Sequence, residues 1–87
     1  MHKKDKKLYI AIAKIINQTR KDKGIKYTEL CYENDIAMST YDDIVNAKTK
    51  ASYLNIAKII KGLGLNFKEF GELLDKELGK DFKFIDE

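Results

Sequence analysis

The sequence predicts an all-α fold, a compact five-helix domain. Its 87 residues suffice for one hydrophobic core but not for two ordinary domains. Apolar side chains recur at spacings of three and four through most of the chain, which is the period of a helix face. The chain has no proline, so glycines and short polar clusters must separate the helices. These separators divide the chain into about five helical segments.

The first helix is predicted from about Asp5 to Asp22. Gly24 follows it, and glycine favours the end of a helix because it adopts a left-handed conformation without strain. Apolar side chains lie on one face of this segment, as expected of a helix that packs against a core. They are Leu8, Ile12, Ile15, Ile16 and Thr19.

A short second helix is predicted from Tyr27 to Asn34, with Leu30 and Cys31 buried. Asp35 then occupies a turn, where aspartate tolerates a left-handed backbone better than most residues. A third helix follows from about Met38 to Asn46. Its inward side chains are predicted to be Tyr41, Ile44 and Val45, and its outward ones Ser39, Thr40, Asp42, Asp43 and Asn46. Ser39 and Asp42 also resemble a capping box, which leaves open a start one or two residues later.

Polar caps predict the start of each of the last two helices. Ser52 is a favourable cap for the fourth helix, which the glycines within residues 62–64 end. Asn66 and Glu69 predict a capped start for the fifth helix, and Gly79 closes it. The predicted organisation is therefore one domain over residues 1–79 followed by a tail over residues 80–87.

Charge is unevenly distributed along the chain, although the formal net charge is only +3. Residues 1–26 carry a net +7, whereas residues 27–47 contain no Lys or Arg and carry −5. Residues 48–61 carry +4 and residues 62–87 carry −3. Basic segments thus flank an acidic centre, and partners respond to such local fields.

Several classes of protein are disfavoured by the composition. One cysteine allows neither an internal disulfide nor a cysteine-based zinc site, so we expect a cytoplasmic location. The apolar run from Leu8 to Ala13 is too short to span a bilayer, and no membrane association is expected. Asp42 and Asp43 diverge by about 100° on a helix and cannot share a proton. We therefore expect no enzyme activity, no metal and no small-molecule cofactor.

Two short helices joined by a turn, over residues 27–46, resemble the helix-turn-helix domain of the Cro and phage-repressor (XRE-type) family. The resemblance covers about residues 8–74. It rests on the core spacing, on the string from Asn46 to Lys50 and on the sequence Leu63-Gly64-Leu65. The core positions are Leu30, Cys31, Ile36, Tyr41 and Ile44. The resemblance implies a lambda-repressor-like fold and a DNA-binding transcriptional regulator, most often a repressor.

The family's DNA contacts can be carried over to this chain position by position. The resemblance implies that the third helix enters the major groove and that its outward residues face base edges. These residues are Met38, Ser39, Thr40, Asp42 and Asp43. It further implies that a second group faces phosphates, namely Lys26, Tyr27, Asn46, Lys48 and Lys50. Phosphate contacts position a protein without determining its sequence preference.

The chain departs from the family pattern at several of these positions. Ala37 replaces the usual Ser or Thr cap, and Asp35 and Ala47 replace glycines. Val45 replaces a glutamate that pairs with the arginine ending the first helix, here Arg20. The acidic second and third helices also oppose phosphate binding, unless their carboxylates accept hydrogen bonds from cytosine amino groups.

Two functions follow from these observations. The first is a sequence-specific double-stranded DNA-binding regulator, expected to be a homodimer because one module buries too little surface for selective binding. The second is a protein-interaction module, antitoxin-like or partner-binding, that keeps the scaffold and has little or no DNA affinity. The spacing of Phe82 and Phe84 predicts an extended, self-pairing tail as the dimer element, and the alternative is a frayed tail or a short helical extension folded back on its own domain.

Overall fold

The computed structural model describes residues 2–48 and 50–85, which form five α-helices and contain no strand. The helices are α1 (Lys3–Asp22), α2 (Tyr27–Glu33), α3 (Met38–Val45), α4 (Tyr53–Gly62) and α5 (Phe67–Leu78). The predicted all-α class and number of helices are confirmed. Across the described ranges, no helix is long and apolar enough to cross a membrane.

One hydrophobic core joins all five helices. Ile16, Leu30, Ile59 and Leu63 are almost completely buried at its centre. Except for Thr19, the side chains predicted to face inward from the first three helices lie in this core or against it. The buried cluster comprises Ile12, Ile15, Ile16, Leu30, Cys31, Ile36, Tyr41, Ile44, Ile59, Ile60, Leu63 and Phe70.

The long helix α1 supports the rest of the fold. Its carboxyl-terminal half packs on α3, where the Asn17 Nδ2 donates to the Val45 carbonyl oxygen at 3.3 Å. Its middle packs on α5, where the Lys14 ammonium lies 2.7 Å from the Glu77 carboxylate. A helix of this length extends about 30 Å. The amino terminus of α1 is therefore far from α3.

Most helix ends lie close to the predicted positions. The Ser52 hydroxyl caps α4, and Asn66 with Glu69 forms a capping box on α5. Helix α3 begins at Met38 and not later, because Ser39 is inside its first turn and its N-cap is Ala37. Helix α1 begins at Lys3, two residues earlier than predicted, since the His2 imidazole accepts a hydrogen bond from the Lys4 backbone.

Left-handed residues bound α3 on both sides. Asp35 in the turn before it and Ala47 after it both have a φ of 53°. The turn at Asp35 was predicted from the tolerance of aspartate for this conformation. Alanine has no such tolerance, so Ala47 carries backbone strain.

Gly62 marks the closest approach of α4 to α2. A Cβ atom at this position would lie 2.5 Å from the Leu30 Cδ1 and 2.5 Å from the Asn34 Nδ2. The Asn34 side chain is itself fixed, because its Nδ2 donates to the Leu30 carbonyl oxygen at 2.8 Å. The sequence predicted Gly62 only as a helix stop, whereas the structure shows that it permits helix packing.

The described part of the tail is folded against the amino-terminal end of α1. The ammonium groups of Lys4 and Lys7 lie 5.4 and 5.5 Å from the centre of the Phe82 ring. Phe84 meets Phe82 edge to face, with ring centres 4.9 Å apart. The tail residues up to Ile85 form no strand in a single copy, and pairing of the tail with a second copy stays a prediction.

Candidate nucleic-acid interface

Helix α3 is held to the core by one face and leaves another face open. Tyr41 and Ile44 are each 4% exposed, and this burial fixes the orientation of the helix. Of the five side chains predicted to face bases, Met38, Ser39 and Asp42 are exposed, whereas Thr40 and Asp43 are half-buried. The open face of α3 is therefore narrower than predicted and consists of Met38, Ser39 and Asp42.

The start of α2 joins this face of α3. The Tyr27 ring stacks on the buried Tyr41 ring, with centroids 6.2 Å apart and planes 12° apart. Tyr27, Met38 and Asp42 line the same small cavity of about 150 Å³. Lys26, the exposed N-cap of α2, precedes Tyr27 directly. We call the surface formed by Lys26, Tyr27, Met38, Ser39 and Asp42 the α3 face.

The Asn46 side chain forms hydrogen bonds within α3 itself, although it was predicted to contact phosphate. Its Nδ2 donates to the Asp42 carbonyl oxygen at 2.7 Å and lies 3.2 Å from the Asp42 Oδ1. These contacts cap the last turn of α3 and orient the Asp42 carboxylate. The Asn46 side chain is exposed, but its amide donor already has partners.

Lys48 and Lys50 follow the carboxyl end of α3, and both are exposed. The Lys48 backbone N–H donates to the Asp43 carbonyl oxygen at 2.9 Å, which ties the start of this loop to the helix. The α3 face therefore has a lysine at its α2 side and lysines beyond the end of α3. Their contact with a phosphate backbone stays a prediction.

The lysines near the amino terminus are remote from the α3 face. Lys4 and Arg20 are separated by 16 residues of one helix, or about 24 Å along its axis. Lys4 and Lys7 lie against Phe82 at that distant end. The strong positive charge of residues 1–26 is thus divided between two ends of the molecule.

Arg20 lies beneath the α3 face, and its partner was not predicted. Val45 stands where the family that the sequence resembles has a glutamate, and the Arg20 Nη1 donates to the Ile25 carbonyl oxygen at 2.9 Å. The Arg20 Nε and the Tyr41 hydroxyl are both buried and have no hydrogen-bond partner within the described ranges. Burial raises the pKa of the Tyr41 hydroxyl, and the nearby Arg20 guanidinium partly opposes this rise. The Arg20 hydrogen bond joins α1 to the loop before α2, and the Arg20 guanidinium lies near the Tyr41 hydroxyl of α3.

Comparisons with protein-family models, curated proteins and solved structures find no match to this chain. Function must therefore be inferred from the surface of the molecule. Cys31 offers no reactive group there, because it is 1% exposed and burial raises the pKa of its thiol. A thiol with a raised pKa is a poor nucleophile at neutral pH. The α3 face remains the candidate site.

Proposed function

We propose that the protein is a sequence-specific regulator of transcription, a cytoplasmic repressor that inserts α3 into the major groove of double-stranded DNA. The observation that carries the proposal is the α3 face itself. Tyr41 and Ile44 anchor the helix, while Met38, Ser39 and Asp42 point away from the core. A helix with its side chains is about 10–12 Å wide, which suits a major groove about 12 Å wide.

The lysines around the α3 face support phosphate contacts on both of its sides. Lys26 lies at the start of α2, and Lys48 and Lys50 follow the end of α3. Lys26 precedes Tyr27, which stacks on Tyr41, whereas Lys48 and Lys50 follow the end of α3, so these lysines suit phosphates on either side of the groove that α3 enters. The N-terminal lysines lie too far away to contribute to the same contact.

A homodimer would give the selectivity that one α3 face lacks. A single small module buries about 600–1,000 Å² on DNA, which is at the lower end for specific binding. Two copies related by a two-fold axis would place two α3 helices in successive major grooves, about 34 Å apart. We therefore propose that DNA binding and dimerisation are coupled.

A second function is favoured by the surface beside the α3 face. Tyr32 is 90% exposed on α2, and the exposed carboxylates Glu29 and Glu33 accompany it on this helix. Tyrosine is enriched at protein interfaces relative to the rest of the protein surface. The alternative proposal is a protein-interaction module, antitoxin-like or partner-binding, whose partner presents basic groups to α2.

Titration with random-sequence duplex DNA distinguishes the two functions. Lys26, Lys48 and Lys50 of a dimer give about six phosphate contacts, so affinity should fall about a thousandfold between 50 and 200 mM salt. A Tyr32→Ala variant should bind DNA as the wild type does. Absence of binding even at tens of millimolar salt would exclude the DNA-binding function and favour the interaction module.

A further inference from the structure

Helix α3 itself lacks the side chains that proteins use most often to recognise purines. Guanine is usually contacted by arginine or lysine, and adenine by asparagine or glutamine. Helix α3 contains none of these four residue types. Asn46, the nearest amide, already donates to the Asp42 carboxylate and carbonyl oxygens. If the proposed function holds, the contacts that α3 makes to bases must therefore come from an apolar side chain, a hydroxyl and a carboxylate.

Asp42 presents an oriented hydrogen-bond acceptor. Asn46 holds its Oδ1, while its Oδ2 has no hydrogen-bond partner in residues 2–48 and 50–85. An ionised carboxylate only accepts hydrogen bonds. Cytosine presents the N4 amino donor in the major groove, whereas the amino group of adenine lies beside the N7 acceptor, which would repel a carboxylate. Asp42 is therefore complementary to cytosine.

Met38 presents an apolar group one helical turn before Asp42. It is 49% exposed and lies on the same side of α3, since both residues line one cavity with Tyr27. The rise between them is about 6 Å, close to that of two base pairs. The apolar feature of the major groove is the thymine methyl group.

We propose, on the basis of the proposed function, that α3 recognises pyrimidines. Asp42 accepts a hydrogen bond from a cytosine N4, and Met38 contacts a thymine methyl group within about two base pairs of it. Asn46 is the positioning residue that orients Asp42. The half-site recognised by this protein is thus defined by cytosine and thymine edges, and guanine contributes no contact to α3.

Selection from random duplexes provides the first test. The wild type should select a cytosine and a nearby thymine in each half-site. Asp42→Asn should change the selected cytosine to adenine, because an amide forms two hydrogen bonds with adenine N6 and N7. Glu72→Gln, which removes one charge from an exposed position on α5, is the control and should leave the selected sequence unchanged.

Modified duplexes provide the second test, using the sequence that the wild type selects. N4-methylcytosine blocks the outward amino hydrogen and should weaken wild-type binding about tenfold. Uracil in place of thymine removes one methyl group and should weaken it about fourfold. The affinity of Asp42→Ala should be the same with and without N4-methylcytosine. The affinity of Met38→Ala should be the same with uracil as with thymine.

The outcomes separate this inference from the proposed function. Two results would overturn pyrimidine recognition while keeping the proposed function. One is tight, selective DNA binding whose affinity changes with neither modification. The other is selection of the same sequence by Asp42→Asn as by the wild type. Failure of the wild type to bind any duplex at low salt overturns both. Circular dichroism of each variant checks its fold, which these exposed substitutions should preserve.

Discussion

At the scale of single residues, Ala47 is the clearest source of strain next to the α3 face. Its φ of 53° costs a residue with a Cβ atom about 1–2 kcal/mol. Glycine removes this strain but increases the entropy of the unfolded chain. Ala47→Gly should therefore raise the free energy of unfolding by about 0.5–1 kcal/mol in chemical denaturation. Ala57→Gly inside α4 is the control and should lower it by a similar amount.

Substitution by alanine should change the free energy of unfolding in opposite directions at Gly62 and Gly71. A methyl group at Gly62 would meet Leu30 and Asn34, whereas one at Gly71 has nothing within 4 Å. Gly62→Ala should lower the free energy of unfolding by about 1–3 kcal/mol through overpacking. Gly71→Ala lies inside α5 and should raise it by about 0.5–1 kcal/mol. Equal effects of the two substitutions in urea denaturation would disprove the close approach of α2 and α4.

Cys31 and Tyr41 should make the fold sensitive to alkaline pH. Burial raises the pKa of both groups in the folded state, with Arg20 partly opposing the rise at Tyr41. In the unfolded chain they lose their protons first, near pH 8.5 and pH 10. Near neutral pH the two groups should therefore leave the free energy of unfolding independent of pH. Above about pH 8.5 it should fall as the pH rises. Cys31→Ala and Tyr41→Phe should each reduce this fall. A decline with pH that both variants retain unchanged would contradict this explanation.

At the scale of helices, local chemistry was sufficient to predict most boundaries. Ser52 and the pair Asn66 and Glu69 form caps from residues adjacent in sequence, and the structure confirms them. The role of Gly62 was not predictable in this way, because it depends on Leu30 and Asn34 in another helix. Contacts within one helical turn can thus be predicted from the sequence, whereas contacts between distant segments cannot.

At the candidate site, too, the sequence predicted the local features and missed the hydrogen bonds of individual side chains. Periodicity alone predicted that Tyr41 faces inward, which is correct. It gave no indication that Asn46 is bonded to Asp42, or that Arg20 donates to the Ile25 carbonyl oxygen. These hydrogen bonds depend on side-chain rotamers and on the angle between helices. The proposed roles of individual residues in binding DNA remain predictions.

The uncapped start of α3 gives a prediction at this scale. Ala37 occupies the N-cap and makes no side-chain hydrogen bond there. Ala37→Ser should cap the first turn and raise the free energy of unfolding by about 1 kcal/mol. Ser52→Ala should lower it by a similar amount at the start of α4, where the cap is present. Both changes can be measured by thermal denaturation, and a loss of stability in Ala37→Ser would show that another contact requires Ala37.

At the scale of the whole molecule, charge is separated along a body whose longest dimension is 43 Å. The α3 face and the acidic helix α2 lie toward the carboxyl end of α1. Lysines and the folded-back tail occupy its amino end, where Lys4 and Lys7 contact Phe82. This separation means that total net charge is a poor guide to binding, and that the location of each lysine matters.

The tail gives a prediction at the same scale. Because Phe82 packs on its own α1, we expect deletion of residues 80–87 to leave the sedimentation mass unchanged. The deletion should lower the free energy of unfolding by about 1 kcal/mol, since two cation–π contacts are lost. A smaller sedimentation mass at equal concentration would instead assign the tail to the dimer interface.

Binding of DNA by the α3 face through the lysines beside it is tested most directly by the salt dependence of binding in matched variants. Lys48→Ala with Lys50→Ala removes two charges beside the α3 face, and Lys3→Ala with Lys6→Ala removes two at the far end of α1. In a log–log plot of affinity against salt, the first pair should flatten the slope by about 0.9 per lost phosphate contact. The second pair should leave the slope unchanged. Equal slopes for the two double variants would contradict the claim.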